Sequence, residues 1–204
     1  MFNFKIRYLD KNIIVINKPI GITIKELINL NYLYFNNKIP NFGILNRLDK
    51  YTSGLILIAK NLFFYFYFKK LIIKNLIKKN YISFINEKIN KGFINVDIFK
   101  KKKSLIIKNS KKSVTYYKII KKKKYFSFLN ICIKTGRTHQ IRLHLLHIKK
   151  KIFNEFYYNK IVLLNNTLHF KKIMFYYPFL KKKINLFCNL NYDIKRIFLF
   201  NFLK

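Results

Sequence analysis

The chain of 204 residues contains little negative charge: 7 Asp and Glu side chains stand against 43 Lys and Arg, which gives a formal net charge of +36. This imbalance favours a polyanionic partner such as RNA. Gly, Ala, Gln, Arg and Trp are also scarce or absent, whereas Lys, Asn, Ile, Phe and Tyr, all encoded by A/T-rich codons, dominate. Because drift toward A and T would load any protein with lysine, the charge alone does not establish a function.

Cysteine and long apolar segments are scarce as well. Cys132 and Cys188 lie far apart in the chain, which suits neither a zinc site nor a disulfide framework, and we expect reduced core thiols. The longest apolar run, Leu62 to Phe68, is much shorter than the roughly 20 residues of a membrane-spanning helix. The N-terminus shows no secretory signal. These features predict a cytoplasmic protein that does not associate with a membrane.

Length and hydrophobic content bound the domain organisation. A chain of 204 residues can bury one good core or two small subdomains that share a sheet. Because 51% of the residues are hydrophobic, the charge does not make the chain disordered. We predict one domain over residues 1–204.

The first half of the chain alternates between strand and helix patterns. Phe4 to Tyr8 and Ile13 to Asn17 predict an opening hairpin, and Thr23 to Leu30 a short helix. Asn61 is a candidate cap for a helix that runs to about Lys78. A strand is then predicted to begin at Tyr81, with Tyr81, Ser83 and Ile85 on one face.

Two lysine runs, Lys100 to Lys103 and Lys121 to Lys124, each separate two strand-like segments. They predict two hairpins with charged tips. The tips suit contact with RNA phosphates, but they equally suit solvated turns that keep sheet edges soluble.

The segment from Gly43 to Lys60 places a carboxylate, Asp49, in a basic and apolar setting. Arg47 and Lys50 flank Asp49, and the apolar run Leu55 to Ala59 that follows has the length of a buried strand. Neighbouring cations favour an ionised carboxylate, which suits a nucleophile or a base. The alternative is a structural aspartate that ties the loop to an arginine.

A second segment, Thr135 to His147, follows a predicted strand and continues as a helix. Thr138 is a candidate cap for this helix, with Ile141, Leu145 and Ile148 as its buried stripe, so that Arg142 lies on another face. His144 and His147 are one helical turn apart. Since no Cys or carboxylate lies near them in sequence, we predict no metal site.

Taken together, the two segments resemble the RluA-type pseudouridine synthases. That family carries an arginine-leucine-aspartate triplet, then Thr-Ser-Gly and a buried strand, and later the run Thr-Gly-Arg-Thr-His-Gln-Ile-Arg. In this chain these residues are Arg47 to Asp49, Thr52 to Gly54 and, without a break, Thr135 to Arg142. Weaker matches are Asn17 to Gly21 and Lys79 to Tyr81.

The resemblance implies an α+β pseudouridine synthase catalytic fold, with a mixed, mainly antiparallel sheet, flanking helices and a central cleft. It implies an isomerase that converts uridine in RNA to pseudouridine without a cofactor. The expected partner is large-subunit ribosomal RNA or, second, transfer RNA. We expect a monomer that spans 1–204 as one catalytic domain without a preceding S4-like RNA-binding module.

The resemblance also assigns roles to individual residues. Asp49 becomes the catalytic carboxylate, Arg142 its ion-pair partner, and Tyr81 the residue that stacks on the target uracil. Arg47 becomes the candidate that fills the space left by the flipped base. The remaining expected RNA-binding residues are Lys18, Arg137, Thr138, His139 and Gln140.

Two positions depart from the family pattern. Asn154 and Glu155 stand where relatives usually carry Gly-Asp, and Asn46 stands where a histidine is common. Asparagine tolerates the left-handed conformation that glycine would supply, so we expect the turn at Asn154 to persist.

Two other classes of function stay open at the level of sequence. One is a non-catalytic RNA-binding or ribosome-assembly protein on the same scaffold. The other is a basic membrane-surface or anion-binding protein, which only the charge supports.

Overall fold

The computed structural model describes residues 5–30, 34–100, 104–106, 110, 112–123, 125–154 and 167–202. The chain divides into two compact units. Unit 1 comprises Met1–Ile77 and His169–Asn191, and unit 2 comprises Lys78–Leu168 and Tyr192–Lys204. The prediction of a single catalytic domain stays a prediction.

The described residues form eleven strands and four α-helices. The strands are β1 (Lys5–Leu9), β2 (Ile13–Lys18), β3 (Ser53–Ala59), β4 (Lys78–Asn86), β5 (Gly92–Asn95), β6 (Ile98–Lys100), β7 (Ser104–Ile106), β8 (Val114–Lys122), β9 (Phe126–Ile133), β10 (His169–Tyr177) and β11 (Lys182–Phe187). The helices are α1 (Ile24–Leu30), α2 (Leu62–Ile73), α3 (Gln140–His147) and α4 (Tyr192–Phe202).

Unit 1 is built on β3, in which every residue is buried. The opening hairpin of β1 and β2 is confirmed, and β2 continues it by antiparallel pairing with β3, with Ile16 opposite Ile56. On its other side β3 runs parallel to the start of β10, and β10 pairs antiparallel with β11. The apolar run from Leu55 to Ala59 suits this central position because both faces of the strand are covered.

Unit 2 contains an antiparallel set in the order β4, β9, β8, β5, and a separate hairpin of β6 and β7. Tyr81 lies opposite Ile131, and Ser83 opposite Leu129, which confirms that Tyr81, Ser83 and Ile85 share a face. Strand β4 begins at Lys78 rather than at Tyr81.

Both predicted lysine hairpins exist, β6 with β7 and β8 with β9. Lys101 to Lys103 and Lys124 lie outside the described residues, whereas Lys121 and Lys122 belong to strand β8 itself. Contact of these lysines with RNA stays a prediction. The mixed, mainly antiparallel pairing and the four described helices confirm the predicted α+β class, while the central cleft stays a prediction.

Helix α2 begins as predicted, since the side chain of Asn61 accepts a hydrogen bond from the N–H of Phe64 at 2.8 Å. It ends at Ile73, earlier than predicted. Asn75 adopts a left-handed conformation with φ 53°, and the N–H of Leu76 donates to the carbonyl of Leu71 at 2.9 Å. This is the hydrogen bond of a helix-terminating turn, so Asn75 stops the helix.

Two expectations about asparagine and threonine have opposite outcomes. Asn154 adopts φ 57°, which confirms the left-handed turn, although Glu155 lies outside the described residues.

The prediction that Thr138 caps α3 is wrong. The helix begins at Gln140, and its first flanking residue is His139, which is left-handed with φ 55° and makes no side-chain cap. Because the chain turns at His139, Thr138 lies too early to cap the helix.

Among the helices that the structure describes, none combines the length and the apolar character needed to cross a bilayer.

A partly buried polar cluster joins the first hairpin of unit 1 to the end of β10. The Asp10 carboxylate accepts hydrogen bonds from the hydroxyls of Tyr8 and Tyr177 and from the N–H groups of Asn12 and Ile13. Burial raises the pKa of Asp10, but the four hydrogen bonds outweigh it, so the pKa is lowered overall. The cluster therefore stabilises the fold most when Asp10 is ionised.

We expect Tyr177→Phe to lower the free energy of unfolding by about 1 kcal/mol at neutral pH, since Asp10 loses one donor. A lowered pKa contributes stability that is complete above the ordinary carboxyl pKa and is lost as pH falls through the pKa in the fold. The difference between wild type and variant should thus shrink in acid, as measured by urea unfolding. Tyr176→Phe, an exposed neighbour, is the control; an equal loss there would contradict the prediction.

Candidate active site

The Asp49 loop connects the extended segment around Leu45 to β3 in unit 1. The N–H of Leu45 donates to the carbonyl of Leu57, and the N–H of Thr52 donates to the carbonyl of Asp49 at 3.0 Å, which closes the turn. Leu48 is buried, Arg47 is exposed and Asp49 is half-buried. One hydrophobic residue thus anchors the loop while the neighbouring charged side chains stay near the surface.

Asn46 fixes the start of this loop. Its side-chain amide donates to the carbonyl of Leu55 at 3.0 Å, and its oxygen accepts from the N–H of Leu57 at 2.9 Å. Both groups belong to β3, so the asparagine side chain supplies hydrogen bonds that a paired strand would otherwise supply. The polar residue at this position therefore positions the loop, a role that the sequence did not reveal.

Lys18 is brought against the same loop from the end of β2. Its side chain is 0% exposed, and its ammonium donates to the carbonyls of Pro19 and Ile22, each at 2.8 Å, and of Lys50 at 3.3 Å. A buried ammonium in contact with backbone oxygens is not presented to an RNA phosphate. The expectation that Lys18 binds RNA directly therefore does not fit its position, which suits holding the residue after Asp49.

Gly54 allows the end of the Asp49 loop to lie close to the backbone of β10. It adopts φ 119°, and a Cβ at this position would lie 2.4 Å from the carbonyl oxygen of Phe170. Only glycine fits such a close approach. This steric collision therefore explains why the last residue of the Thr-Ser-Gly motif is glycine.

Ser53 is held by a buried chain of polar side chains. Its hydroxyl lies 2.8 Å from Nδ1 of His169, and Nε2 of that ring lies 3.1 Å from Sγ of Cys188. Asn191 completes the chain by donating to the hydroxyl of Ser53 at 3.4 Å. These contacts tie the residue that follows the Asp49 turn to β10.

Burial keeps this chain uncharged. Burial, together with the nearby charges of Lys171 and Arg7, lowers the pKa of His169 to about 3. Burial also raises the pKa of Cys188, to about 12. A neutral thiol is a poor nucleophile, so the arrangement is not a catalytic Cys-His pair. Cys188 is a free, buried thiol, as predicted, and Cys132 is free but half-buried.

Unit 2 carries the remaining predicted site residues on β4 and around α3. Tyr81 is 8% exposed. Arg137 is exposed, and Thr138 and His139 are half-buried on the turn before α3. Arg137, Thr138 and His139 are thus available at the surface to different degrees, as RNA-binding residues must be.

Gln140 has a different environment, because it is buried and its amide bonds to the protein. Its oxygen accepts from the hydroxyl of Thr135 at 2.8 Å and from the N–H of Arg137 at 3.0 Å, and its nitrogen donates to Val114 and Thr115. These bonds shape the turn between β9 and α3. Direct RNA contact by Gln140 therefore does not fit its burial.

Helix α3 is buried from Gln140 to Leu145, which includes Ile141 and Leu145 as predicted, whereas Ile148 is only half-buried. Arg142 is 2% exposed. Nε2 of His144 contacts the hydroxyl of Ser113 at 3.0 Å, and burial lowers the pKa of this histidine to about 4.

Among the described residues no group of three His, Cys, Asp or Glu side chains is placed to hold a metal ion.

The structure thus gathers the site residues in two sets. Lys18, Arg47 and Asp49 lie in unit 1, and Tyr81 with Arg137 to Arg142 lies in unit 2. The pairing of Asp49 with Arg142 stays a prediction. Sequence reasoning missed Asn46, His169 and Cys188 as residues that support the loop, since an isolated polar residue carries no pattern before the fold brings its partners near.

Residues 12–147 match the sequence model of a family described as RNA pseudouridylate synthase. The chain belongs to this family. It is 35% identical, over 95% of its own length, to "Ribosomal large subunit pseudouridine synthase D" of Buchnera aphidicola subsp. Schizaphis graminum, and spans 71% of that relative. It is also 35% identical to the protein of the same name from Buchnera aphidicola subsp. Acyrthosiphon pisum, over 87% of the chain and 62% of the relative.

Solved structures agree with this membership at the level of fold. "Human RNA Pseudouridylate Synthase Domain Containing 4" superposes with a TM-score of 0.75 and 19% identity, covering 95% of this chain and 91% of the human chain. The predicted pseudouridine synthase fold and the enzyme class, an isomerase acting on RNA uridines, are confirmed.

Two substitutions of His169 test whether the buried chain positions the Asp49 loop. Asn can replace Nδ1 and keep the bond to Ser53, whereas Gln can replace Nε2 and keep the bond to Cys188. We expect His169→Asn to retain kcat within about threefold and His169→Gln to lose about tenfold, because small displacements of a catalytic group are costly. Pseudouridine formation measures kcat, and thermal melting controls for folding. If the two variants lost kcat equally and their melting temperatures also fell equally, the role of His169 would be purely structural.

Proposed function

We propose that this RNA pseudouridine synthase isomerises specific uridines in structured RNA, with large-subunit ribosomal RNA as the first candidate substrate and transfer RNA as the second. The family match over residues 12–147 carries the proposal, because it includes both the Asp49 loop and the turn before α3. The names of the two bacterial relatives support the ribosomal substrate.

The reaction rearranges bonds without net addition or oxidation. The bond between N1 of uracil and C1′ of ribose breaks, the base turns, and a bond forms between C5 and C1′. A proton leaves C5, and N1 gains one. Asp49 is the proposed catalytic carboxylate, either as a nucleophile toward the sugar or the base, or as the base that removes the 2′ proton.

The loop that carries Asp49 supports this assignment. Its backbone is fixed by Asn46 and Lys18, while Asp49 itself stays half-buried rather than sealed. A fixed backbone that carries a half-buried carboxylate is an arrangement suited to positioning a reactive group. Arg142 is proposed to orient the Asp49 carboxylate, since a guanidinium binds a carboxylate through two parallel hydrogen bonds.

The target uridine must leave its stack before its C1′ and C5 become accessible. Exposed Arg47 is the proposed residue that occupies or braces the vacated space. Tyr81 is proposed to stack on the flipped uracil and to assist removal of the C5 proton. Arg137, Thr138 and His139 are proposed RNA contacts, whereas Lys18 and Gln140 are proposed to support the two loops from within.

Asp49→Asn keeps the shape of the side chain and removes its charge. We expect pseudouridine formation to fall by at least about a thousandfold, because the reacting carboxylate is lost, while RNA affinity stays the same or rises slightly. Chemical mapping of pseudouridine in ribosomal and transfer RNA measures the first, and filter binding measures the second. Asp193→Asn, in the first turn of α4, is the charge-matched control. Product made by Asp49→Asn at the wild-type rate would refute the assignment.

Arg47→Ala tests the role in base flipping. We expect kcat to fall about tenfold or more with an unchanged melting temperature, since Arg47 is exposed and its loss leaves the core intact. Arg196→Ala, also exposed, is the matched control. Fluorescence of 2-aminopurine placed beside the target uridine reports flipping directly, and a variant that turns over and flips like wild type would exclude the role.

A further inference from the structure

Lys79 occupies a distinctive position on β4, two residues before Tyr81 and on the same face of the strand. It lies opposite Ile133, the last residue of β9. The chain then continues directly into the turn that contains Gly136 and Arg137. The strand register therefore places the Lys79 side chain next to the turn that precedes α3.

Gly136 shows how close this approach is. A Cβ built on Gly136 would lie 3.3 Å from the Lys79 ammonium nitrogen, which is tighter than an ordinary van der Waals contact. Glycine at this position thus leaves room for a cation beside the backbone of the turn. Helix α3 begins four residues later, at Gln140.

The charges gathered here have the same sign. Burial lowers the pKa of the half-buried Lys79, and the positive charge of Arg137 lowers it further. In the part of the chain that the structure describes, no acidic side chain contributes to the pKa of Lys79. Holding two cations together costs free energy that a bound anion would offset.

We propose that Lys79 and Arg137, together with the Gly136 turn, form a binding site for one phosphate of the RNA substrate. Side chains two positions apart on a strand are separated by about 7 Å, a distance that one nucleotide bridges between its base and its phosphate. The site would hold the backbone beside the nucleotide on which Tyr81 acts. This inference rests on the proposed function, and it adds Lys79 to the residues that bind the substrate.

The test compares Lys79→Gln with Lys78→Gln, its exposed neighbour on the opposite face of β4. Both variants remove one positive charge from adjacent positions. A phosphate contact predicts that only Lys79→Gln reduces the slope of log K against log salt by about one for the RNA substrate. It also predicts a KM about tenfold higher with kcat within about threefold, since such a contact holds substrate and transition state alike.

Two further variants keep the test decisive. Lys79→Arg, which restores the charge, should recover the salt slope and KM, and Arg137→Gln should reproduce the loss. The double variant Lys79→Gln/Arg137→Gln should lose less than the sum of the two single losses, because one phosphate is shared. Additive losses, equal effects of Lys78→Gln and Lys79→Gln, or a lower kcat with unchanged KM would overturn the proposal.

The outcome is separable from the proposed function. If wild type makes no pseudouridine in ribosomal or transfer RNA, the proposed function fails, while the salt slopes for RNA binding still decide whether Lys79 contacts a phosphate. If wild type is active and the slopes of wild type and Lys79→Gln agree, the phosphate site alone fails.

Discussion

The close approach of β3 to β10 at Gly54 is the constraint on which the Asp49 loop depends. A Cβ on Gly54 would collide with the backbone of Phe170, and the next residue back, Ser53, is held by His169. The loop is therefore fixed at its exit by backbone contact and at its entry by the two hydrogen bonds of Asn46. Between these points Leu48 and Thr52 are buried and Asp49 is half-buried, so the chain keeps Asp49 near the surface without losing its position.

Backbone groups and neutral hydroxyls surround two ionisable side chains of unit 1. Three backbone carbonyls accept the ammonium protons of Lys18. Asp10 shows the complementary case, in which two tyrosine hydroxyls and two N–H groups surround a carboxylate. Backbone groups and neutral hydroxyls thus supply hydrogen bonds to charged side chains in this unit.

Much of the local structure was predictable, because it depends on short-range patterns. The apolar run of β3, the opening hairpin and the Asn61 cap follow from residues that are neighbours in sequence. The start of α3 was not predictable from capping preference, since His139 turns the chain and Gln140 bonds back to Arg137. The burial of Lys18 could not be foreseen either, because one of its acceptors, the carbonyl of Lys50, comes near only when β2 and the Asp49 loop meet. The motifs identified the family, but the roles of Asn46 and His169 depend on contacts that exist only in the folded chain.

Asparagine residues with positive φ show how this chain forms left-handed turns with few glycines. Asn75 and Asn154 adopt φ values of 53° and 57°, which end a helix and shape a turn without glycine. Gly54 differs, because the obstacle there is a neighbouring carbonyl and not the torsion angle alone. A genome under pressure toward A and T can therefore exchange glycine codons for asparagine codons wherever only the torsion matters. It must keep a GGN codon where another strand occupies the space of a methyl group, which makes steric collision, rather than backbone geometry, the limit on how far the composition can drift.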